Sequence, residues 1–598
     1  MQPMLVYRFL RKVSDWTMSG FYSEVLVTGQ ENVPSDGPLI IAATHHNEII
    51  DIAALSVTIP HRRRLCYWAK SSLFKNPVSG GLLTSAGSIP VHRNPNSSTN
   101  GNGTPNSAPG YSQAALFRET SATLANGEVV GVFPEGTSYT EPRIVQVKDG
   151  AAWAAVEYAK TVKFNGTTED RGTTRKDLLI VPAAVVYTDK SQYQSRVCVS
   201  YGKPIEITPY AARLVPDDED NTRIIVKEIT AEIEVRLRQL TINAPDWDAL
   251  NSARVARDLL ERDGPCKELA GFVQLSQSLV SAFAVPEKAP SSLSATTKSL
   301  TSYLALLHFS GISHATLNSL YPLSVFKFPK TLPARTTAFY VFLSQLCGTL
   351  FHPRALAFLP AFLIHIPAYA CGWLGARLLS PLNEEESKAQ FKAIFGGIGM
   401  AATYGMLTRS FIKTLVNLAN SGTAGTSSSW VKWIPPDLFD VMARFGHILS
   451  GSNGGVEGVI KSTLGSLTLM YGTTRVCWTW HNALVKGNYT QIKRLIASYK
   501  VFSGLLSPHS SDVSLGKLEP YLHVPLPAEN PYIKKRNHDG SPPSASTPLS
   551  YNGSQPPPSI PSRKLVRHLL HARIEADDAL GKYLDEYKYS VSFGEGDP

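Results

Sequence analysis

The chain has 598 residues and more basic than acidic side chains, 58 against 48. Its length allows two or more folded regions. The positive charge suits a phosphate-bearing ligand or an anionic membrane surface, and because no motif interleaves basic and aromatic residues we do not expect nucleic acid as a partner. The six cysteines contain no Cys-x-x-Cys pair, so we expect a reducing compartment, with neither a disulfide framework nor a zinc site.

The N-terminal segment has apolar residues at helical spacing with basic residues between them, which predicts an amphipathic helix. The apolar positions are Leu5, Val6, Phe9, Leu10, Val13 and Trp16. Such a helix lies either on a membrane surface or against its own domain, and the sequence leaves both open. From residue 24 to residue 201, short apolar runs alternate with helical segments, a pattern typical of an α/β domain whose strands are buried on both faces.

An apolar run over residues 39–44 ends in His45 and His46, and Asp51 follows five positions after the second histidine. On an unbroken helix, residues five apart point about 140° away from each other, so a contact between His46 and Asp51 requires a strand, a turn and the first turn of a helix. In that geometry Asp51 would orient the His46 imidazole while it takes a proton from a hydroxyl. We therefore predict His46 as a general base and place His45 one residue too far away. The alternative is a purely structural pair.

His45, His46 and Glu48 together also suggest a metal site. We predict none, because adjacent residues on an extended strand point to opposite faces and cannot readily bind one ion. A covalent nucleophile is not expected either, since no Gly-x-Ser-x-Gly turn occurs and Cys66 has no evident partner.

Three later segments continue the pattern, namely GSIPVHR over 87–93, VVGVFPEGT over 129–137 and VPAAVVY over 181–187. In this order and spacing, the four blocks resemble the glycerolipid acyltransferase family. Its signatures are His-x-x-x-x-Asp, Gly-x-Ile-x-x-x-Arg, Phe-Pro-Glu-Gly-Thr and a Val-Pro strand. Residues 69–74, 202–205 and 240–248 bring the resemblance closer to the large fungal glycerol-3-phosphate and dihydroxyacetone-phosphate acyltransferases.

The resemblance implies a fold and a reaction. The fold would be α/β, an acyltransferase-type sheet of mixed or parallel strands with flanking helices. The reaction would transfer a fatty acyl group from acyl-CoA, as co-substrate, to the sn-1 hydroxyl of glycerol-3-phosphate or dihydroxyacetone phosphate, with no cofactor. Such a transfer needs a base, an anion site for the phosphate and donors for the developing oxyanion.

The resemblance also implies substrate-binding residues, which are Arg93, Glu135, Gly136, Gly87, Lys70 and Lys148. Arg93 would grip the phosphate of the acceptor, with Lys70 as a weaker second candidate, unless Arg93 is only a surface cation. Glu135 would orient the hydroxyls of the acceptor beside the bare backbone of Gly136, or else pair with a neighbouring cation as a turn carboxylate. Lys148 would either meet the phosphate or close the site.

Two other functions compete with this one. A 1-acylglycerol-3-phosphate (lysophosphatidate) acyltransferase would carry the same motifs with a lipid acceptor, and a membrane scaffold would carry a retired active site. The intact motif residues speak against the scaffold, and the match over residues 246–248 favours the small acceptor. The acyl-chain preference, the preferred acceptor of the two phosphates and the oligomeric state stay open.

Residues 336–353 and 355–376 contain no charged side chain, and Arg354 alone separates them. Each approaches the ~20 residues that a bilayer requires, and the His-Pro-Arg turn between them predicts a transmembrane hairpin over 336–376. Basic residues flank both outer ends, which places the ends and the catalytic domain in the cytosol, and the resemblance adds the endoplasmic reticulum membrane and its lipids. The alternative is a buried core hairpin or a re-entrant loop. Residues 393–418 are predicted to lie at the membrane interface.

The chain therefore divides into five predicted regions. They are a catalytic domain over 1–215, a helical extension over 216–330, a membrane region over 331–420, a C-terminal helical region over 421–527 and a tail over 528–598. In the extension, one helix face is predicted to carry Ile224, Ile225, Ile229, Ile233 and Leu237. A polar composition rich in Gly and Pro predicts disorder over 94–112 and 528–561, and a helix is predicted over 563–587.

Overall fold

The computed structural model describes residues 5–91, 113–164, 177–261, 269–284, 292–323, 332–381, 384–425, 434–451, 455–508, 513–527, 530, 533 and 560–594. The chain forms two compact units. The first falls within residues 1–342, 383–390 and 496–598, and the second within 343–382 and 391–495. The segment over 94–112 that was predicted to be disordered lies outside the described residues, as does most of 528–561.

The first unit contains an eight-stranded sheet. Its strands are β1 (Glu24–Thr28), β2 (Leu39–Ala43), β3 (Leu65–Lys70), β4 (Ile89–Val91), β5 (Val129–Val132), β6 (Leu179–Tyr187), β7 (Arg196–Tyr201) and β8 (Ile205–Glu206). The spatial order is β1-β7-β6-β2-β5-β3-β4, with β8 paired to β6. Neighbours are parallel, except that β6 is antiparallel to β7 and β8. The mixed sheet of an acyltransferase-type α/β fold, with flanking helices, is thus confirmed.

The strand β2 lies between β5 and β6 and is parallel to both. All five of its residues are buried, as are all four of β5, which is why these strands read as continuous apolar runs. Because the three strands are parallel, their carboxyl ends meet at one edge of the sheet. That edge brings together the chain after Ala43, the chain after Val132 and the end of β6 at Tyr187.

The helices of the first unit up to residue 320 are α1 (Leu5–Phe21), α2 (Ile49–Thr58), α3 (Pro77–Ala86), α4 (Gln113–Ala125), α5 (Gly150–Phe164), α6 (Thr208–Ala212), α7 (Glu219–Leu240), α8 (Trp247–Leu260), α9 (Phe272–Phe283), α10 (Leu293–Ser310) and α11 (His314–Leu320). The later helices are α12 (Arg335–Leu350), α13 (Pro353–Leu379), α14 (Lys388–Gly425), α15 (Pro436–Ser450), α16 (Gly455–Leu506), α17 (Leu515–Leu518) and α18 (Val566–Gly594).

The helix α7 shows how the predicted extension joins the catalytic domain. It begins where the Asp218 carboxylate accepts a hydrogen bond from the Asn221 backbone N–H at 2.8 Å. Four of the five residues on its predicted face are buried in the same apolar cluster as β2 and β5, namely Ile225, Ile229, Ile233 and Leu237. Ile224 is instead 57% exposed, so its assignment to this face was wrong. It precedes Ile225 by one position, which turns it about 100° away.

The helix α1 packs against its own domain, which is one of the two alternatives left open by its sequence, and the membrane alternative stays a prediction. Tyr7, Met18 and Phe21 are buried against the rest of the unit. Leu5 and Phe9, on another face, are 68% and 62% exposed. The helix therefore packs on its own domain and still presents an apolar row to its surroundings.

The C-terminal helix α18 belongs to the core of the first unit. Leu569, Leu580 and Tyr583 are buried in one apolar cluster with Leu300 and Tyr303 of α10. The sequence had placed this helix at the end of a disordered tail. Its apolar positions are few and scattered among charges, so only the tertiary packing identifies it as a core element.

The second unit is helical and contains most of the predicted membrane hairpin, from residue 343 onward. Among the described helices, Pro353–Leu379 alone is long and apolar enough to cross a bilayer, with a mean hydropathy of 1.6 over its 18-residue window. The preceding helix, α12, has 16 residues and falls short of the ~20 that a span requires. Two helices do meet at the predicted His352-Pro353 break, but the membrane hairpin stays a prediction. Residues 393–418 form part of the longer helix α14.

Candidate active site

The turn after β2 delivers two histidines and an aspartate to the edge of the sheet. The strand ends at Ala43, and α2 begins at Ile49 with Asp51 in its first turn. The predicted sequence of strand, turn and helix is therefore present. Glu48 turns the chain with a φ of 44°, a conformation that non-glycine residues seldom adopt. The Asn47 backbone N–H then donates to the Asp51 carboxylate at 2.7 Å.

The histidine beside Asp51 is His45. Its Nδ1 lies 3.1 Å from Oδ2 of Asp51, a fully buried carboxylate. The predicted contact between His46 and Asp51 is therefore wrong. Consecutive side chains leave an extended strand on opposite faces, and the left-handed turn at Glu48 brings the start of α2 back to the face that carries His45. Sequence spacing alone could not reveal that turn.

Asp51 has a further partner that the sequence did not indicate. The Tyr187 hydroxyl donates to Oδ1 of Asp51 at 2.6 Å, so both carboxylate oxygens are hydrogen-bonded. Burial, followed by the charge of Asp51, raises the pKa of Tyr187 well above its usual range, and the phenol stays a donor. The register of β6 against β2 places Tyr187 here, because Ala183 lies opposite Ala43. That register is not visible in the sequence.

His46 lies beside a different carboxylate, that of Glu135. Its Nε2 is 3.4 Å from Oε2 of Glu135, and Oε1 accepts a hydrogen bond from the His45 backbone N–H at 2.7 Å. Burial lowers the pKa of His46, but the charge of Glu135 and the hydrogen bond to it outweigh that effect and leave the pKa raised. Burial conversely raises the pKa of Glu135, and the partnership with His46 leaves it lowered. Glu135 thus has His46 as a neighbouring cation, and its role towards the hydroxyls of the acceptor stays a prediction.

The side chain of Lys148 lies against the Pro-Glu-Gly turn over residues 134–136. Gly136 has a φ of 78°, and a Cβ at this position would lie 2.8 Å from Nζ of Lys148. Glycine adopts this φ without strain and leaves room for the lysine side chain against the turn. The Lys148 backbone N–H donates to the Pro134 carbonyl at 2.7 Å, which fixes the start of that side chain. Of the predicted substrate-binding residues, Glu135, Gly136 and Lys148 are brought together.

The other predicted substrate-binding residues lie elsewhere or outside the described part. Gly87 ends α3 with a φ of 87°, and a Cβ there would meet the Arg64 guanidinium at 2.5 Å, so its position is explained by helix termination. Lys70 is exposed at the end of β3, opposite Val91 of β4. Arg93 follows two residues after Val91 and lies outside the described residues.

Stacked aromatic rings contact one side of the His45 imidazole. The His45 ring stacks on Phe133 with centroids 4.1 Å apart, and Phe133 stacks in turn on Tyr67 at 5.9 Å. The stack and Asp51 together fix the plane of the His45 imidazole. The His46 side chain is the more exposed of the two, at 28% against 12%. Within the described residues, no cluster of three or more potential metal-ligating side chains is present.

The site lies in a part of the chain that is similar to a known protein family. Residues 24–186 match the sequence profile of the Acyltransferase family. This part of the chain therefore resembles an acyltransferase domain. The matched region contains His45, Asp51 and Glu135, and the predicted resemblance to the glycerolipid acyltransferases is confirmed.

Two yeast proteins and one bacterial protein are similar to parts of the chain. Over 151 residues it is 27% identical to glycerol-3-phosphate O-acyltransferase 2 of Saccharomyces cerevisiae, covering 25% of this chain and 18% of that protein. Over 204 residues it is 25% identical to glycerol-3-phosphate O-acyltransferase 1 of the same yeast, covering 34% and 25%. Over 133 residues it is 33% identical to the 1-acyl-sn-glycerol-3-phosphate acyltransferase of Bacillus subtilis, covering 22% and 56%. The matches thus span a quarter or less of the yeast relatives.

Proposed function

We propose that the chain is an acyl-CoA-dependent glycerol-3-phosphate 1-O-acyltransferase that also accepts dihydroxyacetone phosphate. The observation that carries the proposal is the hydrogen bond between His45 and the buried Asp51 within an acyltransferase domain. An imidazole held by a carboxylate is suited to removing a proton from a hydroxyl. The similarity to two yeast glycerol-3-phosphate O-acyltransferases supports the choice of acceptor.

In the proposed reaction, Asp51 accepts the Nδ1–H of His45, and Nε2 of His45 takes the proton from the sn-1 hydroxyl. The hydroxyl oxygen attacks the thioester carbonyl carbon, so a C–O bond forms and the C–S bond breaks. The proton then passes from His45 to the sulfur of coenzyme A. The charge that Asp51 keeps throughout is stabilised by the Tyr187 hydroxyl and the Asn47 N–H.

This proposal moves the base from the expected His46 to His45. Asp51 contacts His45, and the stacked Phe133 ring holds His45 in one orientation. His46 and Glu135 form a second pair beside it, and we propose that they bind the hydroxyls of the acceptor. Oε2 of Glu135 is buried and lies 3.4 Å from Nε2 of His46, so a substrate hydroxyl bound beside this pair would contact both groups.

We propose that basic side chains bind the phosphate of the acceptor. Lys148 lies against the Glu135-Gly136 turn. Arg93 follows β4, the strand that pairs with the end of β3 at Lys70. An Arg93→Ala variant should raise the KM for the acceptor far more than the KM for acyl-CoA, since only the acceptor carries the phosphate that Arg93 would grip. A Lys substitution should restore part of the loss. Equal changes in both KM values would assign Arg93 to folding.

A second candidate function is acyl transfer to 1-acylglycerol-3-phosphate. It is favoured by the 33% identity to the Bacillus subtilis enzyme of that name, which exceeds the identity to either yeast relative. The same dyad and the same phosphate would serve both reactions, so the acceptor must be determined by assay.

We propose that the protein resides in the endoplasmic reticulum membrane with the catalytic unit in the cytosol, where acyl-CoA is available. The apolar helix Pro353–Leu379 and the exposed Leu5 and Phe9 of α1 support a membrane location. Protease treatment of sealed microsomes should then cleave residues 94–112 from outside. Protection of that segment would contradict the proposed orientation.

The function is tested with purified full-length protein in bilayer nanodiscs and a radiolabelled acyl-CoA. Glycerol-3-phosphate, dihydroxyacetone phosphate and 1-acylglycerol-3-phosphate are supplied in parallel, with the His45→Ala protein as the background control. We expect the two small phosphates to be acylated at higher kcat/KM than the lipid. A preference for 1-acylglycerol-3-phosphate would establish the second candidate, and transfer to none of the three would refute both.

A further inference from the structure

The segment over residues 384–390 is strongly polar and yet partly buried. We refer to it as the acidic connector, because it begins with three consecutive glutamates and joins α13 to α14. Glu386, Ser387 and Gln390 are only 7%, 3% and 8% exposed. Burying such groups is costly unless they are hydrogen-bonded, so a buried acidic segment indicates a specific contact.

One end of the acidic connector contacts the loop that follows the Phe-Pro-Glu-Gly-Thr motif. The Thr140 hydroxyl donates to Oε2 of Glu386 at 2.7 Å. The same hydroxyl oxygen accepts a short hydrogen bond from Nζ of Lys190, and that nitrogen also lies 3.4 Å from the backbone carbonyl of His46. A continuous hydrogen-bonded chain therefore runs from Glu386 through Thr140 and Lys190 to the backbone of the proposed site.

The other end of the acidic connector contacts the turn over residues 45–48. The Gln390 side-chain amide donates a short hydrogen bond to the carboxylate of Glu48. Glu48 is the residue with the left-handed backbone, and that conformation is what sets Asp51 against His45. A strained backbone persists only where its surroundings hold it. Gln390 supplies part of that support.

Charge adds to the hydrogen bonds. Burial lowers the pKa of Lys190, and the nearby charges of Glu386 and Glu385 oppose that change. The acidic connector thus favours the charged form of the Lys190 side chain. That ammonium group donates hydrogen bonds to the Thr140 hydroxyl and the His46 carbonyl. The Lys190 carbonyl also accepts from the Asn47 side-chain amide at 3.1 Å, so the lysine is joined to the turn at two points.

We propose that Glu386 and Gln390 are positioning residues for acyl transfer, which hold the 45–48 turn and the Thr140 loop in the geometry that the His45–Asp51 pair requires. This inference rests on the proposed function. Neither residue touches an imidazole, so their loss would misplace the base without removing it. Small displacements of a catalytic group lower kcat while leaving distant binding contacts in place.

The test compares Glu386→Gln with Glu385→Gln in the full-length protein in nanodiscs. Both variants lose one negative charge from adjacent positions, but Glu385 is exposed and Glu386 is buried against Thr140. We expect Glu386→Gln to lower kcat by roughly tenfold to a hundredfold, with the KM for acyl-CoA unchanged. Glu385→Gln removes only the weaker of the two charges near Lys190 and no hydrogen bond, so its kcat should stay within about twofold of the wild type. Thr140→Val removes the other partner of the same hydrogen bond and should lower kcat to a similar extent. Thr140→Ser keeps the hydroxyl and should restore most of the activity.

Equal kcat values for Glu386→Gln and Glu385→Gln would overturn the inference. It would also be overturned if the activity lost in Glu386→Gln and Thr140→Val equalled the fraction of protein lost to unfolding, measured by size-exclusion chromatography and thermal melting. A wild-type protein that acylates none of the acceptors is a separate result, which refutes the proposed function instead.

Discussion

Both units contain histidines with little solvent exposure, but His45 in the first unit has a different kind of partner from His365 and His481 in the second. In the first, His45 lies beside the carboxylate of Asp51. In the second, the rings of His365 and His481 stack with centroids 4.0 Å apart. His365 contacts the Tyr404 hydroxyl at 2.7 Å, and His481 contacts the Tyr369 hydroxyl at 2.6 Å. The remaining ring nitrogens face the Ala361 carbonyl and the Asn482 side-chain oxygen, which are also neutral.

This difference is the basis for proposing a chemical role for His45 and structural roles for His365 and His481. A carboxylate stabilises the imidazolium that forms when a histidine takes a proton, and a neutral phenol or carbonyl does so far less. Hydrogen bonds between helices with apolar surfaces instead hold those helices together. Burial of a histidine is therefore a poor guide to catalysis, and the charge of its partner is the informative feature.

The largest effect is expected at the proposed base. His45→Ala should lower kcat for acyl transfer by about 10²–10⁴-fold, because a positioned general base typically contributes that much. His46→Ala should cost less and should act mainly on the KM of the acceptor. Steady-state kinetics with both substrates varied measures this. A larger kcat loss in His46→Ala than in His45→Ala would identify His46 as the base, as the sequence spacing predicted.

A smaller loss is expected when Asp51 loses one of its donors. Tyr187→Phe removes the 2.6 Å hydrogen bond to Oδ1, which leaves a buried charge less well solvated by the protein. Hydrogen bonds to charged groups contribute roughly 1.5–3 kcal/mol, so unfolding should become easier by about that amount and kcat should fall about tenfold. Tyr210→Phe, on the half-exposed helix α6, is the control and should change neither quantity. Wild-type behaviour of Tyr187→Phe would remove Tyr187 from the site.

The pair of His46 and Glu135 should give the stability a pH dependence. The pKa of His46, ordinarily 6.5, is raised, so its contribution is complete below about pH 6.5 and is lost as the pH rises through the raised value. The pKa of Glu135, ordinarily 4.5, is lowered, so its contribution is complete above about pH 4.5 and is lost as the pH falls through the lowered value. The pair therefore stabilises the fold most between these two limits.

Glu135→Gln should accordingly lower the thermal midpoint most between about pH 4.5 and about pH 6.5, and the difference from wild type should shrink towards about pH 9. Glu31→Gln, an exposed carboxylate of the same unit, is the control. Thermal melts across this range measure the effect. A pH-independent difference for Glu135→Gln would show that His46 is not its ionic partner.

The smallest catalytic effect is expected in the second unit. Tyr404→Phe removes the hydrogen bond to His365 and should lower stability by about 0.5–1.5 kcal/mol, as for a typical neutral hydrogen bond. The kcat of acyl transfer should equal that of the wild type, because neither side chain has an ionised partner. Melting and kinetics on the same nanodisc preparation check both parts. A large fall in kcat with an unchanged melting temperature would show that the His365–Tyr404 contact acts in catalysis and not only in stability.

The sequence predicted the architecture better than the contacts. Continuous apolar runs identified β2, β5 and β6, and their parallel arrangement explains why the turn after Ala43 and the Glu135 turn meet. The contact of Asp51 was assigned to the wrong histidine, because it depends on the left-handed Glu48 and on no residue pattern. Tyr187 and Glu386 were missed since their approach depends on strand register and on contacts between residues more than a hundred positions apart.

A double-mutant cycle on His45 and Asp51 tests the central claim most directly. Acyl transfer to glycerol-3-phosphate is measured for His45→Ala, Asp51→Asn and the double variant, with His46→Ala/Asp51→Asn as the matched comparison. If Asp51 acts through His45, the double variant should be no worse than His45→Ala, within about threefold, while the losses of His46→Ala and Asp51→Asn should multiply. Multiplying losses for His45 and Asp51, with non-additive losses for His46 and Asp51, would contradict the account.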